Sequence, residues 1–177
     1  MTARARFHRW LCSFWWRLRH GRPEHRFHVP QLGLRPLHLV VVMPPEFGDF
    51  EAALPTAGLL IERLSPLQAT VVVADNFRNW LPRTGAWNLL VFDKRARGWL
   101  GFPDHAALRR VTALNADVVV DLTPCFHPYT NALAAATGAP LRVSLCAEKW
   151  NCYHNYLIQL DPSRPLAERY RLLLGYV

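Results

Sequence analysis

Charge is scarce in this chain, and so are long apolar runs and closely paired cysteines. Charged residues make up 19% of 177 positions and hydrophobic residues 51%, which excludes an intrinsically disordered chain and leaves room for one real core. No stretch of about 18 apolar residues occurs, so the sequence offers no membrane-spanning helix. The four cysteines, Cys12, Cys125, Cys146 and Cys152, form no Cys-x-x-Cys pair. No secretory signal is visible, because Arg9, Arg17 and Arg19 break the apolar N-terminus and no small-residue cleavage site follows. Free thiols in a reducing cytoplasm are the expectation. There is no internal repeat and no low-complexity tract. Acids are almost missing from residues 1–36, where eight arginines face only Glu24, a net +7. The remaining residues hold 13 basic and 12 acidic side chains, a net +1. The pI near 9.9 therefore belongs to an N-terminal arm, and the near-neutral remainder is not expected to bind nucleic acid.

The arm reads as an amphipathic helix over residues 5–20. Phe7, Trp10, Leu11, Phe14, Trp15 and Leu18 recur on one face at helical spacing, with Arg6, Arg9, Arg17 and His20 on the other and Trp16 as an exception. An apolar stripe opposite arginines suits an interfacial helix on anionic lipid. Docking onto a protein partner or onto the chain's own domain, or an Arg-rich targeting segment, remain alternatives. Domain boundaries follow from composition: a basic helix over 1–21, a proline-rich linker over 22–36, and a globular domain over 37–177.

From residue 37 strand and helix patterns alternate. Strands are expected at Leu37–Met43, Ala69–Ala74, Trp87–Phe92, Asp117–Asp121 and Leu141–Leu145, and helices at Asp49–Leu64, Pro103–Leu114, Pro128–Thr137 and Pro165–Leu174. Gly138 and Gly175 stand where helices commonly close. The strands are continuous apolar runs, which are buried on both faces. The order predicts an α/β domain with one Rossmann-like, doubly wound parallel sheet.

The first strand ends in Pro44-Pro45, then Glu46-Phe47-Gly48-Asp49 opens a helix. That is where open α/β sheets place ligands. Gly48 permits a sharp turn or a close ligand approach. Asp49 reads either as a helix cap or as a general base aimed at a hydroxyl. With one glycine and two carboxylates, Glu46 and Asp49, the loop is not a dinucleotide or P-loop fingerprint. Arg95, Arg97, Arg109, Arg110, Arg142 and Lys149 are candidate anion contacts, with Arg142 and Lys149 favoured because they follow the fifth strand; a solvated surface is the alternative. Cys125/His127 and Cys152/His154 form two Cys-x-His pairs. They lack zinc-finger spacing, so no metal is expected.

Taken in order, several segments resemble glycosyltransferase family 9, the heptosyltransferase-like enzymes. They are Gly48-Asp49-x5-Pro55 after the first strand, Ala116-Asp-Val-Val-Val-Asp-Leu-Thr123, Asn131 to Arg142 with its Gly138-x-x-x-Arg142, Trp150-Asn-x-Tyr153, and Leu166 to Gly175. The resemblance covers about residues 37–176. It implies the acceptor-side half of a two-domain GT-B fold, Asp49 as the base, and acceptor contacts at Gly48, Glu46, Thr123, Arg142 and Lys149. It also implies a lipid-linked sugar acceptor, no metal, and a nucleotide-sugar donor held by the other domain. Two departures stand out. Glu46-Phe47 precedes Gly48 where that family commonly has small hydroxylated residues. The sequence ends at Gly175-Tyr-Val177, at the family's interdomain hinge. The expectation is a non-catalytic binding or interaction module, cytoplasmic and peripheral at the inner membrane face or in a larger complex. The alternative is the acceptor half of a split glycosyltransferase completed by a second chain, the only case that calls for a nucleotide-sugar donor.

Overall fold

The computed structural model describes residues 3–20, 36–81, 87–93, 98–146 and 151–177. One parallel six-stranded sheet organises them, in the order β3-β2-β1-β4-β5-β6. The strands are β1 (His38–Val42), β2 (Gln68–Ala74), β3 (Asn88–Phe92), β4 (Val118–Asp121), β5 (Leu141–Ser144) and β6 (Tyr156–Leu157). This is the Rossmann strand order, with the direction of travel reversing between β1 and β4. The valine-rich β1 is buried at all five positions, as its unbroken apolar run predicts. All five expected strands form. The sixth has only two residues and no apolar run to announce it; it is held to β5 by Ile158 N–H donating to Ser144 O at 2.9 Å.

Among the described residues five α-helices accompany the sheet: α1 (Ala3–His20), α2 (Phe47–Leu64), α3 (His105–Thr112), α4 (Pro128–Ala136) and α5 (Leu166–Leu173). Helix α2 leads outward from β1 to β2, whereas α3 carries the chain back across the sheet to β4. With right-handed crossovers, these opposite directions place α2 on one face and α3 and α4 on the other. The packing agrees, since α2 meets α5 and α3 meets α4. Gly138 closes α4 in the left-handed region at φ 69°, where glycine is at ease. Asp104 caps α3 by accepting from Ala107 N–H at 2.7 Å. At the opposite end of β1 from the Pro-Pro loop, the buried His38 ties strands together. Its ring contacts Leu114 O at 2.7 Å and Thr70 Oγ1 at 2.8 Å, and its backbone N–H donates to Asp117.

Helix α1 forms over the expected residues but packs by a different face. Its buried positions are Cys12, Ser13 and Trp16. They join a small second cluster with Phe102, Phe126, Ala132 and Tyr153, on the α4 side of the sheet. Trp16, the exception to the apolar stripe, is the anchor at 5% exposure, whereas Phe7, Trp10, Phe14 and Leu18 stand 63, 41, 51 and 76% exposed. Leu11 and Trp15 are half-buried. Two of the arginines expected on the polar face turn to the domain instead: Arg9 lies over the Phe126 ring and Arg17 reaches Cys152. Arg6 is exposed. Linker residues 22–35 lie outside the described residues.

Candidate functional site

The site is built where β1 and β4 part. Pairing sets Val42 beside Asp121 at the C-terminal ends of these strands. Met43, Pro44 and Pro45 are buried, and Met43 N–H still donates to Val72 O at 2.9 Å. The chain then turns outward at Glu46, the N-cap residue of α2, whose backbone is extended and whose side chain makes no capping bond. The first intrahelical bond is Phe50 N–H to Glu46 O at 2.9 Å. The N–H groups of Phe47, Gly48 and Asp49 precede it and have no carbonyl of their own helix to donate to.

Asp49 thus lies in the first turn of α2, one residue before Phe50, and the N-cap position belongs to Glu46. Gly48 corrects an expectation. It lies inside the helix, outside the left-handed region, and a Cβ placed on it would meet nothing within 4 Å. The glycine is not needed for the turn.

Asp49 is half-buried, and its carboxyl is pushed above the ordinary aspartate value. Burial is the main cause, the Glu46 charge adds to it, and Arg169 opposes it. Arg169 and Tyr170 come from α5, which packs against α2. Tyr170 is fully buried and its hydroxyl donates to Leu122 O, just past β4. Burial, then Asp49 and Asp121, drive its phenol far above the ordinary range. Behind it, Asp121 is fully buried, accepting from Thr123 N–H at 2.9 Å and from the Asn131 side-chain amide at 3.0 Å. His154 Nε2 lies 3.2 Å from its second oxygen, and His154 Nδ1 is 3.0 Å from Asn151 Oδ1. Asp121 is therefore an organising group, whereas Asp49 is only half-buried. A half-buried carboxylate whose proton affinity is raised is suited to take a proton from a hydroxyl.

Of the residues singled out from the sequence, Glu46, Gly48 and Asp49 come together. Thr123 lies nearby but is buried, with its hydroxyl donating to Thr130 Oγ1 at 3.0 Å. Arg142 does not join them. It is the second residue of β5 rather than a residue after it, and its guanidinium donates to Ala139 O and Tyr153 O on the α4 side. Lys149, Arg95 and Arg97 lie outside the described residues. The two Cys-x-His pairs serve separately: His127 caps α4, and His154 faces Asp121. Among the described residues no group of three His, Cys, Asp or Glu is placed to hold a metal ion. Nor is any described helix long and apolar enough to cross a membrane.

Sequence reasoning missed Arg169, Tyr170 and the ligation of Asp121. Asp121 had a signal, an acid closing an otherwise apolar strand. Arg169 and Tyr170 had none, because their role depends on where α5 docks.

No family model and no curated protein matches the chain. Solved structures do. A family 9 glycosyltransferase from Veillonella parvula superimposes with a TM-score of 0.60 at 19% identity, over 78% of this chain and 41% of that one. The heptosyltransferase WaaC of E. coli, solved with ADP, gives a TM-score of 0.56 at 16% identity, over 78% of this chain and 46% of that one. The same enzyme with ADP-2-deoxy-2-fluoro heptose gives 0.56 and 16%, over 78% and 47%. The chain shares the fold of part of a family 9 glycosyltransferase. It spans less than half the length of these relatives. At this level of identity the likeness is one of fold.

Proposed function

We propose that the chain is a glycosyltransferase-like binding module that α1 seats on an anionic membrane face, and that it transfers no sugar by itself. The observation that carries this reading is the outer face of α1. Phe7 stacks on Trp10 and Trp10 on Phe14, with centroids 6.0 and 5.4 Å apart, and the row continues to the exposed Leu18. The helix is already docked by Cys12 and Trp16, so this stripe points away from the domain. Arg4 and Arg6 are exposed around it, and the helix contains no acid. Rings in the headgroup boundary with arginines among anionic headgroups describe an interfacial helix. The Asp49 end of the sheet also supports a binding role without transfer. Glu46 and Asp49 make it acidic, which disfavours the diphosphate of a nucleotide sugar, so a donor needs a separate unit. The test is co-sedimentation of the full chain with phosphatidylglycerol vesicles against phosphatidylcholine vesicles. Binding to the anionic vesicles that is lost in a Trp10→Ser, Phe14→Ser variant is the expected result. Equal binding to both vesicles, or retention in the variant, sinks the reading and leaves a protein partner as the occupant.

A second reading has its own observation in Asp49. In it the chain is the acceptor half of a heptosyltransferase-like enzyme, with a donor such as an ADP-sugar supplied by a second unit. Asp49 takes the proton of the acceptor hydroxyl, and Arg169 steadies its charge. Reconstitution with a donor-binding unit tests it: Asp49→Asn should remove transfer while acceptor binding persists.

A further inference from the structure

On the side of the sheet away from Asp49, α1 roofs a cavity of about 890 Å³ between itself, α3 and the end of α4. That volume lies within the range of small-molecule sites. Its walls include Trp15, Phe102 and Leu108, with the Trp15 and Phe102 rings stacked at 5.2 Å. Three arginines also line it: Arg19, Arg109 and Arg142. Asp104, the sole acid among the described residues of the lining, is engaged as the cap of α3.

Arg142 is the informative residue. It is only 4% exposed, and its guanidinium donates to two backbone carbonyls, Tyr153 O at 2.9 Å and Ala139 O. Among the described residues no carboxylate pairs with it. A buried cation held only by neutral carbonyls retains most of its demand for a counter-charge. Arg19 and Arg109 add positive charge to the same cavity, Arg19 lying over the Trp15 ring at 5.2 Å. An aromatic wall beside three guanidiniums matches a ligand that is apolar along its length and anionic at one end.

We infer that this cavity is a binding site for a single-chain amphipathic anion, an alkyl chain carrying a carboxylate or a phosphate, with its chain against Trp15, Phe102 and Leu108 and its head toward Arg142 and Arg109. The site is independent of Asp49 and of the exposed stripe of α1. The N-terminal helix supplies its roof, so the same helix presents one face to this ligand and another to the surroundings.

The experiment titrates the full chain with dansyl-undecanoate, read by energy transfer from tryptophan, and then displaces the probe with laurate, dodecyl phosphate or dodecanol. Saturable one-to-one binding is expected, with dodecanol at least roughly tenfold weaker as a competitor than the better anion, the scale of one charge-assisted hydrogen bond. Whether laurate or dodecyl phosphate competes better identifies the head group. Leu108→Trp intrudes on the apolar wall of the cavity and should weaken binding by about tenfold or more, with unchanged far-UV circular dichroism. Arg142→Met removes the buried charge but also two structural hydrogen bonds. The exposed Arg109→Gln is therefore the second variant, expected to weaken binding roughly threefold to tenfold. Phe14→Ser, on the outer stripe, should leave the titration unchanged. Equal competition by dodecanol overturns the inference. So does a probe that is lost in Phe14→Ser and kept in Leu108→Trp.

Discussion

The sheet core and the cluster under α1 bury aromatic rings in comparable numbers, but they do so by different means. In the core, Phe50, Phe77, Phe92 and Tyr129 pack in stacked pairs against strands that are themselves covered on both faces. Under α1, Trp16 lies between Phe102 and Tyr153, and two of its partners come from loops. A helix held on a surface chiefly by Cys12, Ser13, Trp15 and Trp16 can leave without the sheet unfolding. The core fixes the fold, whereas the cluster fixes only where an added helix rests. The difference is large enough to measure.

The sharpest way to break this contrast is a matched pair of deletions. Phe50→Ala, in the core, should lower unfolding stability by about 3–5 kcal/mol, the usual scale for a buried Phe. Asp121→Ala comes next, at roughly 2–4 kcal/mol. It strands the Thr123 N–H and the Asn131 amide and deprives His154 of its neighbour. Both should shift a denaturant midpoint measured by tryptophan fluorescence and by circular dichroism together, because both act on the cooperative unit. If the two probes separate, the sheet is not one unit.

Trp16→Ala sharpens the contrast from the other side. It should reduce global stability by only about 1–2 kcal/mol, less than the core range, because undocking of α1 limits the loss. Hydrogen exchange in α1 should speed up while exchange in β1 and β4 stays slow. Trp10→Ala, on the exposed stripe, should change stability by less than about 0.5 kcal/mol. Should Trp10 prove as costly as Trp16, the helix is packed by the stripe after all.

These same two regions explain what the sequence could and could not reveal. Continuous valine runs at 40–42 and 118–120 have one interpretation, burial between two helix layers, and the strand order follows from right-handed crossovers. Asp49 was legible because a strand, a turn and a helix start occur within a dozen residues. Helix α1 was read as amphipathic, but the face it docks with was not. Periodicity finds the richer apolar stripe, and here that stripe faces outward while Cys12 and Trp16 do the packing. Arg142 was assigned to a ligand cleft by its distance from the fifth strand. It lies within β5, as the expected bounds Leu141–Leu145 already implied, with its guanidinium directed to Ala139 and Tyr153. Side-chain direction at a strand end is not encoded in spacing, and neither is the docking of α5 that brings Arg169 and Tyr170 to Asp49.

The smallest expected effect tests whether Asp49 belongs to the packing or to the site. Its carboxyl is raised by burial and by Glu46, so the folded chain holds that proton more tightly than the unfolded chain does. The sign follows from linkage. The favourable contribution is complete below the unfolded pKa and is lost as pH rises through the folded one, because over that interval the folded state carries more protons. At neutral pH the ionised Asp49 is therefore mildly destabilising. Asp49→Asn removes the charge and keeps the shape. It should raise Tm at pH 7 by about 1 °C, a few tenths of a kcal/mol once solvent screening at this half-exposed position is allowed for. Near pH 3 the difference should vanish, since both chains are then neutral there. A capping aspartate behaves oppositely, because its loss destabilises the helix by about 1 kcal/mol at neutral pH. Thermal scans of the two proteins across that pH range decide between the two. A gain at pH 7 identifies a carboxylate kept ionised at the expense of stability, the condition a general base has to meet.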